Sequence, residues 1–432
     1  MNITPLLKSK YDWNQGQKNA WNQERREALD YLRGDTDPYT SLLFETDRQY
    51  PLGRINITRR IIERISLVYM VPPKRYLNGE KDEDYNELTK NKDAALQRDE
   101  QLVNLLELVP VRIVWRNGKF DYDILLEFEP IFEDDPMKPV AVTYPIMDYT
   151  EVNDAREVIW HYVDDIQSYD YIKSNGNIIT PEDMISHSYG MLPVVFPFRD
   201  GIPETGFIHT GVSNDLIRTN LGINVQQTNK YANSLFQSFG YGNISGDGIP
   251  QDLKVSPQTF TKLPDGASMG MVTPPDVLGS LSTSIIDDFK LIAKTYHLSD
   301  NFVEGTTAES GVALRLRNQE LTDDRKSDVT RWRMYEDRIY RIEQAIAKAE
   351  AGKNFSDDFA VDYEESIEVL SPQEQREKWD WEVSNGYKDK ADILMEQNPD
   401  KFTTREEAQT YLAERSSLPA ETDLFGSFVD NA

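Results

Sequence analysis

"LIAKTYHLSDNFVEGTTAESGVALRLRNQELTDDRKSDVTRWRMYEDRIYRIEQAI", residues 291–346, decides how this chain is organised. Its first residues close a helix expected over 278–297, where Ile285, Phe289, Ile292 and Tyr296 share one apolar stripe. Residues 299–311, "SDNFVEGTTAESG", contain Gly305 and Gly311 and read as a loop. A single long helix is expected from residue 310 to 351. Val329, Trp332, Ile339, Ile342 and Ile346 keep helical spacing there, with Glu336, Arg338, Glu343 and Lys348 placed for solvent. At 1.5 Å per residue it would be roughly 60 Å long, far beyond an ordinary globular helix of about 11 to 12 residues.

Working upstream, residues 213–238 predict another helix. Ser213 stands at a cap position ahead of Leu216, Ile217, Leu221, Val225 and Leu235, and no proline interrupts. Its length would be roughly 39 Å. The opposite face is crowded with amides, Asn214, Asn220, Asn224, Gln226, Gln227, Asn229, Asn233 and Gln237, and is expected to be wet or to face another subunit. Between the two helices lies "FGYGNISGDGIPQDLKVSPQTFTKLPDGASMGMVTPPDV", residues 239–277. Its glycines and prolines break helices, and Leu253, Val255, Phe260 and Leu263 suit short strands. The order is therefore helix, small β insert, helix, loop, long helix.

That order, with residues 291–346, "HSYGMLPVVFPFRDG" (187–201) and "NITRRIIERISLVYMVPPKRYL" (56–77), resembles the portal proteins of tailed double-stranded DNA bacteriophages. The resemblance covers about two thirds of the chain. It rests on a GxxPVVxF-like segment before the first stem helix, an SGVAL-like start to the long helix, and an amphipathic helix running into a short Pro-containing strand.

The resemblance implies an α+β, portal-like fold: a β-rich wing over residues 1–210, a helical stem over 211–238 and 278–298, and a small α/β clip over 239–277. A tunnel loop would occupy 299–311, a long wing helix with returning strands 312–370, and a helical crown 371–432. It further implies a homo-oligomeric ring of twelve copies at one capsid vertex, through which double-stranded DNA is packaged and ejected. The partners implied are the terminase large subunit, a head–tail adaptor, and the major capsid and scaffolding proteins. The chain would be made in the host cytoplasm and end in the virion.

Channel-lining residues would be Asp300, Asn301, Phe302, Val303, Glu304, Gly305, Thr306 and Thr307, a pliable collar whose acids, with Glu309, keep DNA from sticking. This loop has no lysine, so Lys230, Lys290 and Lys294 on the stem are the nearest cationic candidates. Asp252, Lys254, Phe260 and Lys262 of the clip would meet the motor and adaptor.

Composition bounds the answer independently. At 432 residues the chain suggests about three units, and 39% apolar with 11% aromatic residues suffices for a substantial core. The absence of cysteine removes disulfides, thiolate zinc sites and cysteine nucleophiles. A formal charge of −27, from 74 acidic and 47 basic residues, opposes a surface that grips phosphates but suits a conduit along which DNA slides. The same acidity also keeps a soluble protein apart from its neighbours. No apolar run reaches about 18 residues, so no membrane contact is expected, and the start is too weakly apolar for a signal peptide.

Elsewhere, residues 13–32 predict a helix ending before Gly34, and 35–51 a polar, turn-rich connector. Arg54, Arg59, Arg60 and Arg64 form a basic group that either meets DNA or a neighbouring subunit, or pairs with local carboxylates such as Glu63. The charged stretch 82–101 reads as a solvated outer segment without chemistry. A β-rich block follows. "VRIVWRNGKFDYDILLEFEPIF" (111–132) has a hairpin turn at Asn117-Gly118, then places Phe120, Tyr122, Ile124, Leu126 and Phe128 on one face and Asp121, Asp123, Glu127 and Glu129 on the other. More strands are expected at 140–144, 157–163, 169–173 and 192–198, with a turn at Asn175-Gly176. After the long helix come strands at 359–363 and 367–370, then helices from Pro372 to a stop at Gly386, over 388–397 and over 404–415.

Paired carboxylates are what metal-dependent hydrolases use, so Asp121, Asp123 and Glu127 define an alternative function, although alternation already explains them as the solvent side of a strand. A third reading is another acidic structural component of a virion. The four histidines, His161, His187, His209 and His297, are too far apart in sequence for a metal motif. No GxxxxGK[ST], GxSxG or GxGxxG element appears, so no cofactor and no catalytic residue is assigned, and any DNA pumping is powered by a partner.

Overall fold

The computed structural model describes residues 15–44, 51–152, 155–174, 177–179, 185–201, 212–239, 241–245, 268–272, 276–298, 302, 311–363, 372–397 and 404–416. The chain is α+β and divides into two compact units, Met1–Thr307 with Asn318–Ser366, and Ala308–Arg317 with Ile367–Ala432.

In the first unit, α1 (Gln15–Arg33) stops where Gly34 takes φ +93°, a left-handed turn that favours glycine. The expected connector contains a short helix, α2 (Asp37–Ser41), because Pro38 falls in its first turn, where its missing N–H costs nothing. Helix α3 (Ile57–Ile65) is capped by Asn56, whose side chain accepts from Arg59 N, and leads through Pro72 and Pro73 into β1 (Lys74–Leu77). Then come α4 (Glu83–Leu88) and α5 (Lys92–Leu106).

Strands β2 (Val111–Arg116) and β3 (Lys119–Ile124) pair across Asn117 and Gly118, both at positive φ, as a two-residue hairpin requires. The expected alternation to Phe128 breaks at Leu125: β3 ends, and Leu125 and Phe128 both turn into a core with Trp21, Val142 and Phe198. Strands β4 (Glu129–Ile131), β5 (Ala141–Val152), β6 (Ala155–Val163), β7 (Gln167–Ser174) and β8 (Asn177–Ile179) form an antiparallel meander, with β9 (Ile185–Ser186) also on β7. The Asn175-Gly176 turn lies outside the described residues, though Ser174 pairs with Asn177 across it. The strand expected at 192–198 shortens to β10 (Val194–Val195), beside β2.

Helix α6 (Asn214–Phe239), strands β11 (Tyr241–Ser245) and β12 (Ser268–Val272), helix α7 (Leu278–Thr295) and the 41-residue α8 (Gly311–Ala351) follow in the expected order. Strand β13 (Phe359–Asp362) pairs antiparallel with β1. The strand expected at 367–370 lies outside the described residues. In the second unit, α9 (Pro372–Ser384), α10 (Lys390–Gln397) and α11 (Arg405–Ser416) are the expected helices, with Ala391 and Ala408 buried where α10 meets α11. Among the described residues, no helix is long and apolar enough to cross a membrane.

The main core of the first unit gathers Ala28 and Tyr31 of α1, Ile61 of α3, Leu105 of α5, Ile217 of α6, Ile292 of α7, and Trp332, Ile339 and Ile346 of α8. Within it lies a charge network that corrects two expectations. Glu336 and Glu343 are fully buried rather than solvent-facing, and the stretch 82–101 supplies buried Lys92, Asp99 and Glu100 rather than a solvated segment. Seven residues apart, the two glutamates lie on one face of α8, in the same stripe as Trp332, Ile339 and Ile346. Lys92 Nζ uses all three donors: Glu336 at 2.8 Å, Glu343 at 3.1 Å and Tyr85 Oη at 3.2 Å. Arg75 of β1 grips Glu336 and reaches Asp93 at 2.8 Å. Glu343 also accepts from Tyr85 at 2.7 Å and from Tyr122 of β3. Burial alone would raise the Glu336 carboxyl, but Arg75 and Lys92 outweigh it and hold it at about 2.

Two more acids on α5 behave oppositely. Glu100 accepts Val68 N at 2.8 Å and Tyr69 N at 3.1 Å, and burial pushes its carboxyl up to about 7. Asp99 is wholly buried, neither of its oxygens has a hydrogen-bond partner among the described residues, and burial, then Glu100, raises it well above the usual range.

Two outcomes follow for unfolding measurements. Lys92→Met leaves buried Glu343 without a cation and Glu336 with Arg75 alone, and is expected to cost about 3–5 kcal/mol in denaturant titrations. For Asp99 the folded pKa exceeds the unfolded one, so its burial carries no penalty below the ordinary carboxylate range and weakens the protein as pH rises through it. Asp99→Asn should therefore be more stable than wild type at neutral pH, with the difference vanishing near pH 3. An equal difference at both pH values would contradict this account.

Candidate functional site

The helical hairpin built by α6 and α7 is the element on which the sequence places function, and three side-chain pairs fix it as antiparallel. Tyr296 Oη donates to Asp215 at 3.0 Å near one end, Gln226 Nε2 to Asp288 at 2.6 Å in the middle, and Gln237 Nε2 to Asp276 at 3.5 Å near the other. Where α6 ends, Tyr241–Ser245 pairs with Ser268–Val272, and Ser245 and Ser268 hydroxyls meet at 3.0 Å. The strands observed in this insert thus flank the positions expected. Leu253, Val255, Leu263 and the candidate contact residues Asp252, Lys254, Phe260 and Lys262 lie outside the described residues.

The amide face of α6 is neither wet nor intersubunit at its centre, which corrects the expectation. Asn220, Asn224 and Thr228 are fully buried and form a ladder one helical turn apart. Asn220 Oδ1 accepts the N–H groups of Ile57 at 2.9 Å and Thr58 at 3.0 Å, and its Nδ2 donates to Ile55 O at 2.8 Å. Asn224 Oδ1 accepts Ile55 N at 2.8 Å, and Thr228 Oγ1 accepts Gly53 N at 2.8 Å. The orphan N–H groups at the start of α3 are thus satisfied by a distant helix. Contact is close enough at Gly53 that a Cβ would lie 2.4 Å from Asn224 O and 2.8 Å from Gln227 Cβ. A four-residue spacing of Asn, Asn and Thr, with Leu216, Ile217 and Ile223 also buried, was the available signal. Sequence reasoning missed it because a polar face normally marks solvent.

Of the candidate cationic residues, Lys294 is exposed and Lys230 and Lys290 are half-buried. Lys290 and Lys294, one turn apart on α7, share a face. In the candidate loop only Phe302 is described; Asp300, Asn301, Val303, Glu304, Gly305, Thr306 and Thr307 lie outside. Phe302 packs edge-to-face on Phe289 of α7, ring centres 5.8 Å apart, and the Arg60 guanidinium lies 4.5 Å from its ring centre while donating to its carbonyl. Arg54 pairs with Asp37 and Arg59 with Glu63, as the local-carboxylate reading expects.

A polar cavity of about 290 Å³ at the foot of α7 is walled by charges that already have partners: Arg199 with Glu107 at 3.2 Å, Arg331 with Asp200 and Asp328, and His297 with Asp324 at 2.5 Å. The Asp324 hydrogen bond raises the His297 pKa.

The acidic strand face is answered by arginine. Arg116 binds Asp121 at 2.8 Å and Asp123 at 2.7 Å, and Arg26 binds Glu127 at 2.8 Å. Carboxylates so neutralised are poor ligands for a cation, and among the described residues no three His, Cys, Asp or Glu side chains converge on a possible ion site. His161 bonds Asp170, with burial and Arg112 bringing it down to about 4, and His187 stacks on Tyr189 at 4.1 Å. His209 lies outside the described residues.

Removing one rung tests the ladder. Asn220→Ala leaves the buried N–H groups of Ile57 and Thr58 unpaired and should cost about 2–3 kcal/mol in chemical denaturation. Gly53→Ala should cost about 1–3 kcal/mol through overpacking, whereas Gly222→Ala on α6, with open space around it, should be neutral or stabilising by up to ~1 kcal/mol. The sequence matches no protein-family model and no curated protein.

Proposed function

We propose that this chain is a portal protein: a ring-forming subunit whose α6/α7 hairpin lines a channel for double-stranded DNA. The observation that carries the reading is the antiparallel hairpin with a two-stranded β element between its helices, followed by one helix of 41 residues. A hairpin whose first helix packs on α1, α2 and α3, with its β element at the other end, is suited to project from a ring body and meet a second machine there.

Within that reading, the twelve-fold stem surrounds DNA, and Lys230, Lys290 and Lys294 are its candidate phosphate neighbours. The loop after α7 narrows the channel, with Phe302 held by Arg60 and Phe289 at its start. The segment between β11 and β12 docks the terminase large subunit during packaging and a head–tail adaptor afterwards, and the ring contacts major capsid and scaffolding proteins at the vertex of the virion. The excess of 74 acidic over 47 basic residues supports transit over retention, since affinity for DNA grows with each phosphate neutralised.

Single-particle imaging of the purified chain, with native mass spectrometry, is the test. A closed ring with an axial hole is expected. A mass that stays monomeric at every concentration, with no ring on the grid, overturns the reading.

A further inference from the structure

We propose that an apolar cup formed by Leu67, Met70, Val71 and Leu321 receives the Leu42–Leu43 tip of a second copy of this chain, in a head-to-tail contact. The proposal deepens the ring reading above and rests on it only for self-association.

The tip is exposed yet held. Leu42 and Leu43, just past α2, are 82% and 59% exposed. Backbone bonds from Leu43 N to Thr40 O and Phe44 N to Ser41 O keep the turn closed. Behind it, Thr40 is fully buried, Tyr39 Oη donates to Asp30 at 2.7 Å, and Thr36 Oγ1 accepts from Asn224. Two leucines presented on a fixed turn lose little conformational freedom on docking.

The cup is likewise preformed. It encloses about 190 Å³, several times the roughly 30 Å³ share of one liquid water, so it admits an aliphatic side chain. Met70 is 62% and Val71 40% exposed. Its walls are fixed from behind: Arg325 Nε donates to Leu67 O at 3.1 Å, and Glu100 holds the N–H groups of Val68 and Tyr69.

Charge selects the occupant. Near the tip, Asp35 is exposed and residues 35–47 contain no lysine or arginine, whereas the cup is lined by Arg325 and by exposed Arg64. An acidic segment with an apolar tip and a basic segment with an apolar cup are complementary in sign and shape. Because tip and cup are different patches, the contact is heterologous, and repeating it gives a closed ring or an open filament.

Sedimentation velocity on the full chain tests this with two double variants, Leu42→Asp with Leu43→Asp, and Met70→Asp with Val71→Asp, each checked for wild-type circular dichroism. Each variant alone should associate at least about tenfold more weakly than wild type. An equimolar mixture retains one intact tip and one intact cup per pair, so it should form dimers and nothing larger. If the aspartates unfold a chain, the serine versions carry the same comparison. Variants that assemble like wild type, or a mixture that stays monomeric or grows beyond dimers, overturn the contact. Wild-type rings with unaffected variants sink this contact and leave the ring reading standing, while a wild type monomeric at every concentration sinks both.

Discussion

Glu336 and Glu343 tie four separate elements of the first unit to one helix face, and the packing around α8 depends on that network. Each carboxylate is buried among residues that would favour an aliphatic side chain. Transferring such a charge from water costs several kcal/mol, and only paired cations with full hydrogen bonding offset it. Arg75, Lys92, Tyr85 and Tyr122 supply that set from β1, α5, α4 and β3. A hydrophobic replacement of equal volume would fill the space without saying which strand or which turn must sit there. The ionic set tolerates one register of α8 against β1 and α5, since a shift by one turn would leave two glutamates facing apolar walls.

The second polar device works on backbone rather than side-chain charge. The segment from Gly53 to Thr58 enters α3 with N–H groups that need acceptors, and Asn220, Asn224 and Thr228 supply them from α6. The hairpin is thereby coupled to the start of α3, and α3 in turn carries Arg60 to Phe302 at the end of α7. A displacement of α6 must break buried hydrogen bonds before it can move α3, so both helices of the hairpin are referenced to the same helix. The glycine at 53 is a condition of this arrangement: a Cβ there would meet Asn224 O, so a side chain would push this segment away from α6.

Element order and most helix bounds were legible in the sequence because they follow from periodicity, which burial enforces directly. The Asn117-Gly118 hairpin was legible for a local reason, two consecutive positive φ angles. The interior of the site was not. Lys92, Glu336 and Glu343 are polar letters in buried positions, and a reading by hydropathy assigns them to water. Their spacing argues otherwise, since positions 332, 336, 339, 343 and 346 form one continuous stripe in which the two glutamates replace expected apolar residues. Asn220 and Asn224 mislead in the same way. Polar residues inside an apolar stripe, or repeating every four positions on one face, point to buried partners far away in sequence, but which partners only the fold can say. The break after Ile124 has a different origin: Leu125 follows Ile124 without a polar residue between, and two adjacent apolar side chains cannot both face inward on a regular strand, so β3 ends there, with Ile124 half-buried against the main core and Leu125 buried in the second.

The distribution of cations carries the argument one step further. This chain is short of positive charge, yet it commits Arg75 and Lys92 to the interior, Arg25 to the carbonyls of Leu106 and Leu108, and Arg26, Arg54, Arg59, Arg116, Arg199 and Arg331 to carboxylates. A guanidinium already bound to a carboxylate must give up that partner before it meets a phosphate, so its contribution to DNA affinity is largely cancelled. The acidity of the chain is therefore expressed outward more strongly than the ratio of acids to bases suggests. A surface of that kind would repel a polyanion at short range, which is what the proposed conduit reading calls for, and it comes from how this chain pairs its cations as much as from how few it has.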